Sequence, residues 1–211
     1  MKRQPSMTAA ELAARLQASP VFAERKQIQE QERTDRLARM RIEEEPILKE
    51  LRGIGWDLKS VWDLVNTSEP YPEAIPILLH HLQLPYSDLI KEGIARSLAV
   101  PEQAVQEAWP ILLGEYRKAP TGMGMKVFGD AKEFRLAAKD GLACALAVTV
   151  TDETLPELVA LAKDRIHGES RVLLLSALKK RKNRNPVVRL LIDELAKDPD
   201  LQKEISSWGS R

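Results

Sequence analysis

Residues 74–82 read AIPILLHHL, and two later stretches follow the same pattern: AWPILLGEY at 108–116 and TLPELVALA at 154–162. In each the third residue is proline (Pro76, Pro110, Pro156), and apolar residues follow at helical spacing. Proline is tolerated in the first helical turn, where its missing N–H would have no partner in any case. Each stretch therefore reads as the start of a helix. A second pattern follows the first. IKEGIARSLAV at 90–100 matches AKDGLACALAV at 138–148, pairing Lys91 with Lys139, Glu92 with Asp140, Gly93 with Gly141 and Leu98 with Leu146. SRVLLLSAL at 170–178 is a weaker third copy, with Arg171 in the lysine position. PVVRLLIDELAKDPDLQKEISSW reads as a final, atypical helix pair. A helix pair that repeats in this way is the signature of an α-solenoid.

The proline early in each first helix, the polar turns PYSD and IHGES, and the basic residue opening each second helix resemble the HEAT-repeat family over residues 70–208 or so. The resemblance implies an all-α fold, a short right-handed α-α superhelix whose second helices line a concave binding face. The expected division is a helical N-terminal arm over 1–52 and a HEAT-like repeat domain over 53–211 with an insertion at 120–134.

The spacing locates that insertion. Pro76 to Leu98 is 22 residues, as is Pro156 to Leu178, whereas Pro110 to Leu146 is 36. The middle pair thus carries about 14 extra residues between its helices, and they fall on TGMGMKVFGDAKEF, 121–134. No Gly-Lys-Ser/Thr follows its glycines and no strand precedes them, so it is neither a phosphate loop nor a dinucleotide fingerprint. Met123, Met125, Val127 and Phe128 form an adaptable apolar set of the kind that contact surfaces use. Two readings stay open: a binding loop, or a flap that covers the core.

Strand signals are scarce; LAVTVTDETL, 146–155, is the one β-like run. Thr8 and Glu11 make a capping-box pattern for a first helix over AAELAARLQA. From Glu24 to Glu45 the chain is dense in charge, punctuated only by Ile28, Leu37, Met40 and Ile42, which predicts a solvated helix held by i,i+4 pairs. Pro46 is expected to break or kink it. Asp57 is expected to cap a helix whose apolar face is Leu58, Val61, Trp62 and Val65.

The composition sets limits on function. Over 211 residues, 44% are hydrophobic and 30% charged, which suits a globular domain with a core. The net charge of +1 excludes a global field that would draw the chain onto nucleic acid or an anionic membrane. Cys144 is the single cysteine, so an internal disulfide is impossible and a reducing, cytoplasmic setting is expected. The N-terminal residues have no apolar signal core, and no run has the length to cross a bilayer.

No catalytic residue, metal ligand or cofactor motif emerges. His80 and His81 point about 100° apart on a helix, and these two and His167 read as surface or capping residues. Glu43, Glu44 and Glu45 point three ways around a helix, and Cys144 reads as a packed thiol. KKRKNR, 179–184, reads as a cationic helix end more readily than as a phosphate patch. Trp62 and Trp109 read as core, Trp56 as exposed. The residues singled out for partner binding are Met123, Met125, Lys126, Phe128 and Arg135 in and beside the insertion, with Arg96 and a basic ridge of Lys91, Lys139 and Arg171.

The expected function is a non-enzymatic protein–protein interaction scaffold. Its partner would be another protein; an immunity protein that neutralises a bacterial toxin is one alternative. A second alternative, which the resemblance brings in, is a nucleic-acid-binding protein of DNA-glycosylase type. That one would need a basic cleft on which aromatic and acidic residues converge.

Overall fold

The structure, a computed structural model, describes residues 8–10 and 19–209. Among them are eleven α-helices and two strands of two residues each, so the class is all-α. The chain divides into two units, Met1–Arg41 and Ile42–Arg211. The expected first helix falls mostly on residues 11–18, outside the described residues.

Helix α1 (Pro20–Gly53) begins in the first unit. There it is held by short-range pairs, as its charge density predicts: Gln31 Nε2 donates to Asp35 at 2.9 Å, and Arg33 lies 3.7 Å from Glu30. Of the two outcomes expected at Pro46, a break or a kink, the break does not occur. The carbonyl that loses its donor belongs to Ile42, which is 77% exposed, so water can satisfy it. Just beyond, Ile47, Leu48 and Leu51 are buried in the second unit and anchor the helix through the irregularity.

The second unit continues with α2 (Trp62–Asn66), α3 (Ile75–Leu82), α4 (Asp88–Ser97), α5 (Gln103–Glu107), α6 (Trp109–Lys118), α7 (Ala138–Thr149), α8 (Leu155–Lys163), α9 (Arg171–Arg181), α10 (Pro186–Leu195) and α11 (Pro199–Ser207). Pro76, Pro110 and Pro156 each stand in the first turn of α3, α6 and α8, as read from the sequence. The β-like run at 146–155 is not a strand: α7 continues through it to Thr149. The helix expected from Asp57 starts only at Trp62. Its cap is built otherwise, with Glu44 Oε1 accepting from Ser60 Oγ and Val61 N, and Asp63 Oδ2 from Lys59 N and Ser60 N. The Glu44 part of this cap comes from a distant helix and leaves no local pattern.

The second helices pack side by side in chain order, α4 against α7 and α7 against α9, with α3, α6 and α8 behind them. Matched glycines make the closest approach. A Cβ on Gly141 would stand 2.9 Å from the Glu92 carbonyl, and one on Gly93 2.7 Å from Val61 Cγ1. The equivalent positions Arg96 and Cys144 meet across the α4–α7 contact, guanidinium to Sγ at 3.9 Å. Leu98, Leu146 and Leu178 are all fully buried.

Carboxylates tie these layers together. The Glu43 side chain accepts from Ser87 N and, at 2.7 Å, from Ser87 Oγ, which fixes the start of α4. Asp88 in turn accepts from Ala137 N and Ala138 N, fixing the start of α7. With Glu45 paired to Arg52, the acidic triplet does point three ways.

Candidate functional site

The insertion between α6 and α7 is ordered by its own backbone. Met123–Gly124 (β1) pairs antiparallel with Phe134–Arg135 (β2), and Leu136 N donates to Gly122 O at 2.9 Å. Gly122 and Gly129 have φ of 88° and 80°, which side-chain-bearing residues rarely adopt, so the two tight turns require glycine. The tip is fastened to the helices. Leu89 N donates to Lys126 O, Val127 is buried, and Asp130 Oδ2 accepts from Val127 N at 3.1 Å. Val127 therefore packs inward, while Met123, Met125 and Phe128 face solvent, 60%, 55% and 54% exposed.

Fastened in this way, the insertion walls a cleft of about 500 Å³. The other walls are the α3–α4 turn (Leu84, Pro85, Tyr86), the end of α6 and the start of α7; Leu136 and Leu142 line it as well. The lining is mainly apolar, as ligand-holding clefts are. Its polar groups lie on one side. Lys91 Nζ is 3.1 Å from Glu115 Oε2, and Lys118 Nζ is 2.9 Å from Glu115 Oε1. Burial works to raise the Glu115 carboxyl, but hydrogen bonds from Lys118 and Lys91 outweigh it and hold the group below its usual value.

Tyr86 connects the cleft to the interior. Its hydroxyl lies 2.8 Å from His81 Nδ1, and His81 Nε2 lies 3.3 Å from Glu50 Oε1. Burial, with Glu43 and Glu50 nearby, raises the Tyr86 phenol above its usual value. Ser87, the hydroxyl beside it, is engaged by Glu43.

The residues singled out in the sequence separate into four places. Met125, Phe128 and Lys91 meet at the cleft. Met123 and Arg135 line a neighbouring hollow, where Arg135 bridges Asp140 at 2.7 Å and Glu169 at 3.2 Å. Lys126 and Arg96 gather around Glu92, at 3.9 and 2.9 Å. Lys139, which also lines that hollow, and Arg171 are buried and do not form a surface ridge. Lys139 donates to Ala119 O at 2.8 Å and lies over the Tyr116 ring, and burial pulls its ammonium below the usual lysine range. Arg171, 1% exposed, donates to Gly168 O, Ala162 O, Asp198 and Asp200. Both reach carbonyls at the C-terminal end of the preceding first helix, where cations are favoured. In these two copies, unlike Lys91, the repeated basic position works inside the fold.

Other expectations also shift. His81 and His167 are buried, not surface residues, because each lies on the inward side of its segment, against Tyr86 and Tyr116 respectively. Trp109 is core as expected; Trp62 is only half-buried, and half-buried Trp56 meets Tyr71 edge-on at 6.0 Å. In the 179–184 run, Arg181 bonds Val150 O and Ala177 O, and Lys179 and Lys182 lie over the Trp208 ring at 5.5 and 5.7 Å. Among the described residues no group of three or more His, Cys, Asp or Glu has the arrangement to hold a metal ion, and no helix is long and apolar enough to cross a membrane.

Sequence reasoning missed Glu115, Lys118, Tyr86, Leu136 and Leu142. Only Glu115 and Lys118, three apart on one helix, carried a local signal. The rest meet through tertiary packing. No family model matches this chain, and neither does any curated protein or solved structure.

Proposed function

We propose that this chain is a non-enzymatic protein-binding module: a short HEAT-like stack that holds another protein against the insertion and the cleft it walls. One observation carries the reading. Met125 and Phe128 are turned to solvent on a segment that is itself fastened by backbone hydrogen bonds and by buried Val127. Apolar side chains held out on a fixed loop, beside an apolar cleft, mark a contact surface. Methionine suits such a surface because its side chain adapts to different shapes.

The test compares wild-type bait with Met125→Glu and Phe128→Glu in affinity capture from the source cell extract, with melting recorded for all three. The expected result is one or more proteins retained by wild type and lost from both variants, whose melting is unchanged because both positions are exposed. Identical captured sets from all three baits would end the reading.

A further inference from the structure

The cleft is electrically lopsided. Its apolar walls, Leu136 and Leu142 with Met125 and Phe128 at the rim, face a polar side along α4 and α6. There two ammonium groups, Lys91 and Lys118, share the single carboxylate of Glu115. The other carboxylate in the lining, Asp88, accepts from the Ala137 and Ala138 amides with both oxygens. Those amides open α7, whose N-terminal partial positive charge offsets it. The four formal charges of the lining cancel, but both carboxylates are buried, so the charge exposed at the opening is the Lys118 ammonium. Its side chain is 75% exposed, and an exposed ion pair is weak enough to exchange partners. Glu115 keeps Lys91 when Lys118 turns away.

The approach to the cleft has the same sign. Between residues 117 and 135 five cations stand against two carboxylates, in a chain whose total charge is only +1. Arg135 is engaged by Asp140 and Glu169, and Lys126 stands near Glu92, while the side chains of Arg117 and Lys118 are exposed. Of the two carboxylates, Asp130 is turned inward onto the Val127 amide. An acidic segment is therefore favoured at encounter and a basic one repelled.

Resting on the protein-binding reading of this same site, we propose that the cleft takes an acidic peptide segment of the partner. An apolar side chain enters between Phe128, Met125 and Leu142, and a carboxylate one or two residues away meets Lys118.

The experiment uses the full chain with 13C-labelled methionine methyl groups, the Met125 signal being assigned with Met125→Leu. The probes are acetylated, amidated hexapeptides with one leucine followed by two glutamates, two glutamines or two lysines, and octanoate as a carboxylate without a peptide backbone. The glutamate peptide is expected to move the Met125 signal at the lowest concentration, the glutamine peptide to need about fivefold more, and the lysine peptide to leave the signal in place. Lys118→Ala should abolish the glutamate preference while leaving the free protein's methyl spectrum intact. Equal titrations by glutamate and glutamine peptides would overturn the acidic assignment and leave the protein-binding reading standing. A response to octanoate where the glutamate peptide has none would overturn the peptide assignment in favour of a free amphiphile. If no probe moves Met125, the cleft is not the docking point, and the rim variants Met125→Glu and Phe128→Glu then decide the wider reading on their own.

Discussion

Without the Arg171 guanidinium, Asp198, Asp200 and the carbonyls of Ala162 and Gly168 would lose the donor that joins them. Arg171→Ala is expected to lower the unfolding free energy by about 3–5 kcal/mol, the usual cost of removing one partner from a buried charged network. Arg171→Lys should recover only part of it, because one ammonium cannot span four acceptors. Urea denaturation of both variants checks this, and a loss under about 1 kcal/mol for the alanine variant would contradict it. The buried histidines make stability depend on pH. Burial lowers the pKa of both His81 and His167, for His167 with help from Lys139. The unfolded chain therefore binds more protons than the folded one just below the ordinary histidine value. Their contribution is complete above about pH 6.5 and is lost as pH falls through the lowered folded values. Glu44, raised by burial, acts in the opposite direction, so the histidine effect is best read by difference. His167→Phe keeps a ring against Tyr116 and cannot titrate. The urea midpoint of this variant should fall less between pH 7.5 and 5.5 than that of wild type, and parallel slopes would rule His167 out as a contributor.

At the scale of elements, three helix-interior glycines separate close approach from helix propensity. Gly141 faces the Glu92 carbonyl, a backbone atom that cannot give way without moving α4. Gly93 faces the side chains of Val61 and Trp62, which can shift, and Gly114 in α6 faces open space. Alanine favours helix over glycine by about 1 kcal/mol. Gly114→Ala is therefore expected to stabilise by about 0.5–1 kcal/mol, and Gly141→Ala to destabilise by about 1–3 kcal/mol as the helices are forced apart. Gly93→Ala should lie between them. Thermal melting of the three orders them, and a stabilised Gly141→Ala would mean that α4 and α7 do not pack this tightly. The caps belong to the same scale. Asp88→Ala frees the first amides of α7 from a side chain in α4 and should cost about 1–2 kcal/mol, more than Asp88→Asn, which keeps an acceptor.

For the whole molecule, the test is replacement of residues 121–132 by a short polar turn. The neighbouring helix pairs close without such a segment, so helical circular dichroism should persist. Stability should fall by about 2–3 kcal/mol, because buried Val127 and the bond from Leu89 to Lys126 O are lost. An unchanged midpoint would mean the insertion is not fastened, and a collapse of the helical signal would mean it organises the fold. The sequence by itself determined the all-α class, the prolines opening α3, α6 and α8, the matched glycines and leucines, and the position of the long connection between α6 and α7. Each of these rests on periodicity or on one residue's backbone chemistry, which short-range spacing records. Tertiary structure alone decided which side of the insertion is buried, that Lys139 and Arg171 act inside the fold, and that Glu43, Glu44 and Asp88 cap helices far along the chain. It also decided that Tyr86, Glu115 and Leu142 share a cleft with Met125 and Phe128. Those outcomes depend on which long-range groups are near enough to satisfy a charge or exclude water, and the one-dimensional order of residues does not carry that proximity.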